Sequence, residues 1–266
     1  MPPDRPPRIL VCNDDGYLSA GLEALVSALE PLAEVVVVAP ETEQSAASHA
    51  ISLRRPLRIR QVRERWYAVD GTPTDCSYVG ISHVLQDQPP RLTVAGINHG
   101  PNMAEDVIYS GTVAAAMESA LLDVPAIAVS LATRRDFDFG VAARFAQALA
   151  GSLLAQPLPP RLLLNVNVPP GTPDGYTVTR LGRHSYGLGV VEKTDPRGGK
   201  YYWIGGSEYQ HEDVPGSDCN VVYRENRISV TPLQMDLTDG RQREVMAGWE
   251  VVGFAQRPPA DRSPER

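Results

Sequence analysis

The chain has 266 residues, 42% hydrophobic and 21% charged, with a formal net charge of −7. That length suits one large α/β domain or a core with an elaboration, and the composition is ordinary for a globular protein. The acidic balance excludes a general binder of nucleic-acid polymers, which needs a basic footprint against phosphate backbones. It leaves room for a small phosphorylated ligand, because one bound cation reverses the local field.

The three cysteines, Cys12, Cys76 and Cys219, are odd in number and far apart. They fit reduced thiols of a cytoplasmic protein better than a disulfide framework or a Cys-rich zinc site. Residues 1–7 are proline-rich and polar without an apolar h-region, so no secretory signal is expected. No apolar run approaches the length of a membrane span, so no membrane partner is expected.

Arg8–Cys12 (RILVC) reads as a buried strand, and residues 21–32 follow with Leu22, Leu25, Val26 and Leu29 at helical spacing. Residues 34–39 (EVVVVA) form a second apolar strand, stopped by Pro40. Further strands are predicted at 92–97, Ala126–Leu131 and 162–166, with helices at 75–85, 112–122 and 141–154 between them. Strands that are apolar throughout imply burial on both faces, hence a parallel sheet covered by helices. Their alternation with helices gives the doubly wound α/β class. Residues 52–69 break the rhythm, because Leu53, Leu57, Ile59 and Val62 lie among arginines. That pattern suggests a partly exposed β excursion.

Beyond about Pro169 the chain turns rich in Gly, Tyr and charge, with hairpin-like pieces at 176–181, Lys200–Ile204 and Ile228–Pro232. The expected organisation is an α/β core over 1–170, a β-rich region over 171–256 and a tail of disordered composition over 257–266.

Four segments carry candidate chemistry. Asn13-Asp14-Asp15-Gly16 follows the first strand, where open α/β sheets bind ligands. Adjacent carboxylates repel, and a cation relieves them, although the same residues also make an ordinary polar turn. The segment 39–49 supplies Glu41, Glu43, Ser45 and His49 after the second strand. Gly96-Ile97-Asn98-His99-Gly100-Pro101-Asn102 offers side-chain amides among glycines that let backbone approach a ligand. Parallel topology delivers all three segments to one edge of the sheet. Finally, Tyr109-Ser110-Gly111-Thr112 opens a helix, where Ser110 or Thr112 can cap and free N–H groups suit an anion.

Asp14, Asp15, Ser45 and Asn98 offer only oxygen, which suits hard ions such as Mg²⁺ or Mn²⁺. The five histidines show no ligand spacing such as HExxH. His49 and His99 lie on the candidate loops and are candidates to touch a substrate. Walker A, GxGxxG and GxSxG elements are lacking, so an ATPase, a dinucleotide enzyme and an α/β-hydrolase have no support.

At these residues the sequence resembles the SurE family, stationary-phase survival proteins that act as 5′/3′-nucleotidases. The resemblance is carried by Asn13-Asp14-Asp15-Gly16, by Ala39-Pro40 with Ser45 beyond, and by Gly71-Thr72-Pro73-Thr74-Asp75-Cys76. It continues in register through Gly96-Ile97-Asn98, Gly100-Pro101-Asn102 and Asp106-Val107-Ile108-Tyr109-Ser110-Gly111-Thr112. It implies a Rossmann-like, mostly parallel sheet flanked by helices and a β-rich C-terminal oligomerisation region. It implies Asp14, Asp15, Ser45 and Asn98 as ligands of one Mg²⁺ or Mn²⁺ per subunit, with Asp14 and Asp15 also catalytic. Asn102, Ser110, Gly111 and Thr112 would line the phosphate pocket. The implied substrates are nucleoside 5′- or 3′-monophosphates and short polyphosphate, and the implied assembly is a homodimer or homotetramer.

Two departures stand out. Ala46 occupies a place where the family usually has Gly, which would strain the loop if that position needs a positive φ. Ser19-Ala20-Gly21 replaces the common Ala-Pro-Gly and loses a preset first helical turn. Two other readings stay open: a nucleoside N-glycosidase, which releases a free base, and a non-catalytic nucleotide or metal sensor, which shows no turnover with added metal. An aspartyl-phosphate phosphatase would want two aspartates one residue apart, and here they are adjacent.

Overall fold

The apolar runs become the strands of one sheet. The structure is a computed structural model that describes residues 6–186, 189–204, 209–252 and 255. The tail expected to be disordered, 257–266, lies outside the described residues. In order come β1 (Arg8–Cys12), α1 (Ala20–Leu29), β2 (Glu34–Pro40), β3 (Ile59–Arg63), β4 (Trp66–Val69) and α2 (Pro73–Val79). Then follow β5 (Leu92–His99), α3 (Gly111–Leu121), β6 (Ala126–Leu131), α4 (Gly140–Leu154) and β7 (Leu163–Val168). The remainder holds β8 (Tyr176–Val178), β9 (His184–Tyr186), β10 (Val190–Thr194), β11 (Lys200–Ile204) and β12 (Tyr209–His211). It ends with α5 (Asp218–Tyr223), β13 (Ile228–Pro232) and α6 (Gly240–Met246).

The main sheet has nine strands in the order β3-β4-β2-β1-β5-β6-β7-β13-β8. From β4 to β7 all neighbours run parallel. The partly exposed excursion is the antiparallel edge pair β3–β4. β13 pairs antiparallel with β7 and carries β8 beside it. Residues beyond 170 therefore supply two strands to this sheet, as well as the separate hairpin β10–β11 and the pair β9–β12. The chain divides into two compact units, Met1–Leu233 and Gln234–Arg266. In the second, Asp239 caps α6 by accepting from Arg241 N and Gln242 N. Among the described residues no helix is long and apolar enough to cross a membrane.

Every residue of β6 and of β7 is buried, the double-sided burial that their predominantly apolar sequences imply. Ile9, Val11 and Val37 face the cluster that includes Leu22 and Leu25 of α1 and Ala142 and Ala146 of α4. Leu10 and Val38 point the other way and press on Gly80, just after α2. One helix departs from expectation. The element expected over 75–85 starts earlier, at Pro73 with a Thr72–Asp75 capping box, and loosens into a π turn from Gly80 to Val84.

Close approach positions the site. α1 begins so near β5 that a Cβ on Gly21 would lie 2.1 Å from the Ile97 carbonyl oxygen. The start of α3 also lies close against the end of β1, where a Cβ on Gly111 would meet Asp14 Cβ at 2.8 Å. Only glycine permits either contact.

Candidate active site

Asp14 and Asp15 follow β1 directly, and Asp14 is only 3% exposed. Its carboxylate accepts the Thr112 N–H at 3.1 Å and the Thr112 hydroxyl at 2.5 Å. Burial raises its pKa to about 6; Thr112 opposes the rise and the Asp15 charge adds to it. Asp15 is held from the other side, its Oδ2 lying 2.8 Å from His99 Nδ1 and accepting the His99 N–H at 3.3 Å. His99 directly follows Asn98, whose amide nitrogen donates to the Gly100 carbonyl at 2.9 Å. The Asn98 side-chain oxygen has no hydrogen bond among the described residues.

Asn13 shapes the turn. Its amide donates to the Gly16 carbonyl and to the Ser19 hydroxyl, the same hydroxyl that caps α1. Its own Oδ1 is buried with no hydrogen-bond partner among the described residues.

The loop after β2 is fastened at both ends. Gln44 N–H donates to the Asp14 carbonyl at 2.7 Å, and Ser48 donates its N–H to Tyr109 O and its hydroxyl to Ile108 O. His49 Nε2 lies 2.8 Å from the Glu118 carboxylate of α3. Between these anchors Ser45 is exposed, and its hydroxyl donates to Glu43 at 2.8 Å. Ala46 adopts φ +58°, the left-handed conformation that glycine favours.

Of the two expected caps of α3, Ser110 caps it by accepting the Val113 N–H at 3.0 Å. Thr112 serves Asp14 instead. The Gly111 N–H has no acceptor among the described residues. Asn102 is buried in a polar knot. Its side chain donates to Ser130, its N–H to Asn167, and its carbonyl accepts from Asn165 and Asn167.

Several working contacts are not legible in the sequence. His99 supports Asp15 and His49 meets Glu118, although both histidines stand out on their loops. Phe137 and Phe139, on the loop after β6, each meet the His99 ring edge-on with centroids 4.8 Å apart. Asp218, buried in α5, accepts from Ala104 N, Gly182 N and Cys219 N and ties the loop beyond β5 to the C-terminal strands. Burial raises its pKa.

The donor set fits a hard divalent ion. Neither aspartate is paired with Lys or Arg among the described residues; His99 and Thr112 are their partners. Histidine, cysteine and acidic side chains alone form no group of three or more suited to a metal among those residues. An ion held by the two carboxylates would take its remaining ligands from neutral oxygens, of side chains, backbone or water.

A mostly parallel α/β sheet flanked by helices, with paired carboxylates and a glycine-opened helix at its C-terminal edge, defines a Rossmann-like protein. The chain belongs to the SurE family, whose model, described as survival protein SurE, matches residues 9–188. A protein named 5′-nucleotidase SurE from Myxococcus xanthus is 66% identical over 257 residues, covering 96% of this chain and 98% of the relative. One of the same name from Anaeromyxobacter dehalogenans is 59% identical, covering 94% and 99%. The crystal structure of the SurE protein from Aquifex aeolicus superposes with a TM-score of 0.79 at 37% identity, over 90% of this chain and 98% of that one.

Proposed function

We infer that this chain is a 5′-nucleotidase, a metal-dependent phosphatase that hydrolyses nucleoside monophosphates to nucleoside and phosphate. The observation that carries the reading is the Asp14–Asp15 pair, the first buried and the second partly so, gripped by Thr112 and His99 rather than by a Lys or Arg. Relatives of high identity that bear the name 5′-nucleotidase support it.

Asp14, Asp15, Ser45 and Asn98 would hold one Mg²⁺ or Mn²⁺ per subunit. When bound, such an ion supplies positive charge that neutralises the phosphate and promotes ionisation of water. Asp15, with Oδ2 tied to His99, has its second oxygen to orient or deprotonate the attacking water, and Asp14 stands beside it. The Gly111 N–H, between Ser110 and Thr112 in the chain, would receive the non-bridging oxygens as charge shifts onto them, with Asn102 as a further expected lining of the phosphate pocket.

A phosphate-release screen over nucleoside 5′- and 3′-monophosphates and short polyphosphate, with Mg²⁺, Mn²⁺ or EDTA, tests the reading. Metal-dependent release from nucleotides supports it. Full turnover in EDTA defeats the metal, and release of free base instead of phosphate selects the N-glycosidase. No turnover under any condition selects the sensor.

We also propose a homodimer or homotetramer built through the region beyond residue 170. The hairpin β10–β11 exposes Trp203 and Ile204, at 63% and 94%, a surface suited to a second copy of the chain. Three buried free thiols support a reducing, cytoplasmic setting.

A further inference from the structure

We propose that Phe137 is the platform on which the nucleobase of the substrate stacks. The proposal rests on the nucleotidase reading and assigns a subsite within the same site.

The loop between β6 and α4 leaves the sheet at its C-terminal edge, as do the loops that carry Asp14, Ser45 and Asn98. It reads Thr133-Arg134-Arg135-Asp136-Phe137-Asp138-Phe139, two aromatics in an otherwise polar run. Phe139 is 7% exposed and belongs to the core, whereas Phe137 is 40% exposed. Their rings are parallel within 6° with centroids 5.9 Å apart, an offset stack. His99 meets both rings edge-on and reaches Asp15 with Nδ1. Phe137 is thus two contacts from the catalytic carboxylate, and in a nucleotide the ribose occupies that interval between phosphate and base.

Single exposed apolar side chains are common and need no special account. Phe137 differs in three ways: it is aromatic, it stands at the rim of the site, and it prolongs a stack that begins in the core. A ring laid on Phe137 would continue the series Phe139, Phe137, base. Support of His99 does not by itself require an exposed ring, since the buried Phe139 already seats the imidazole. Stacking needs only a π face, so such a platform accepts any of the bases and favours the larger purines.

Initial rates are measured with Mg²⁺ or Mn²⁺ for wild type, Phe137→Ala and Phe137→Tyr. The substrates are AMP and glycerol 2-phosphate, a phosphomonoester without a ring. The ratio of kcat/KM for AMP to that for glycerol 2-phosphate should fall about tenfold in Phe137→Ala, from the usual contribution of base–aromatic stacking. The fall should lie in KM for AMP, and Phe137→Tyr should restore it. Adenosine should inhibit the wild type competitively, with Ki about tenfold higher in Phe137→Ala. If the alanine variant does not fold, Phe137→Leu keeps apolar bulk without a π face, and the same ratio is read. Equal losses on both substrates, the result if the ring only seats His99, overturn the platform, and so does an unchanged ratio. A wild type that cleaves glycerol 2-phosphate but no nucleotide overturns the nucleotidase reading itself, whereas one active on AMP with an unaltered ratio in the variants overturns the platform alone.

Discussion

Thr112 gives both its backbone N–H and its hydroxyl to a single carboxylate, that of Asp14, at 3.1 and 2.5 Å. The start of α3 thus orients the carboxylate while Ser110 does the capping. Thr112→Val keeps shape and N–H but removes the hydroxyl. It should weaken Mg²⁺ or Mn²⁺ binding and lower kcat/KM by about tenfold or more, as loss of a partner behind a ligand usually does. Thr112→Ser should retain both. Ser110→Ala should instead cost about 1 kcal/mol of stability through the lost cap. Calorimetric titration beside thermal melts separates the two residues, and a Thr112→Val variant with unchanged metal affinity rejects the orienting role.

Ala46 holds φ +58° beside Ser45, where an alanine bears a penalty of about 1 kcal/mol or more. Ala46→Gly relieves that strain but enlarges the freedom of the unfolded chain by about 0.4–1 kcal/mol. The expected net result is a small gain in stability, below about 1 kcal/mol, with turnover retained. Ala46→Val adds a β-branched side chain at the same φ and should lose stability and turnover together as Ser45 shifts. Denaturant melts with steady-state rates check both, and a glycine variant less stable than wild type contradicts the strained loop.

The parts of the fold set by local patterning are legible in the residues themselves. EVVVVA and AIAVSL are apolar on both faces apart from Glu34 and Ser130, and such runs are buried on both sides of a parallel sheet. Pairing partners are a different matter. Nothing in ISVTP says that β13 runs antiparallel to β7 or that β8 lies beyond it, because strand order is a property of the whole chain. The same division runs through the site. Asp14 and Asp15 are visible as adjacent carboxylates after a strand, whereas their holders Thr112 and His99 lie 98 and 84 residues away. Asn102 has the look of a pocket residue among glycines, yet its side chain donates to Ser130. A hint is present, since Ser130, Asn165 and Asn167 are polar residues inside apolar strands, and buried polar groups need partners.

The hairpin β10–β11 offers a sharper test of assembly than truncation, because β8 and β13 complete the main sheet and removing residues beyond 170 would strip them away. Trp203→Ser combined with Ile204→Lys alters exposed side chains only. Wild type should scatter light as a multiple of the chain mass at micromolar concentration, and the double variant should shift toward lower mass with its melting transition intact. A wild type that is monomeric at that concentration refutes the assembly.

The Asp14–Asp15 pair should show opposite behaviour with and without metal. In the unfolded chain Asp14 ionises near 3.8, and in the folded, chelator-treated protein burial brings it to about 6. Between those values the folded state binds the extra proton. The contribution of Asp14 to stability is therefore fully present below the unfolded value and is lost as pH rises through about 6. Asp14→Asn removes the charge and keeps the shape, so at pH 7.5 in EDTA it should melt above wild type, by up to about 3 kcal/mol of stability. That advantage should vanish at pH 4, where the wild-type carboxyl is itself protonated. Added Mg²⁺ or Mn²⁺ should reverse the order, since only the wild type gains strongly from ion binding. Asp15→Asn should lose metal affinity in the same way. Both variants should release little phosphate from nucleoside monophosphates. If the two aspartates form only a polar turn, both variants keep their activity, and added Mg²⁺ or Mn²⁺ leaves the order of melting unchanged. Melts across that pH range, paired with phosphate-release assays, choose between the two.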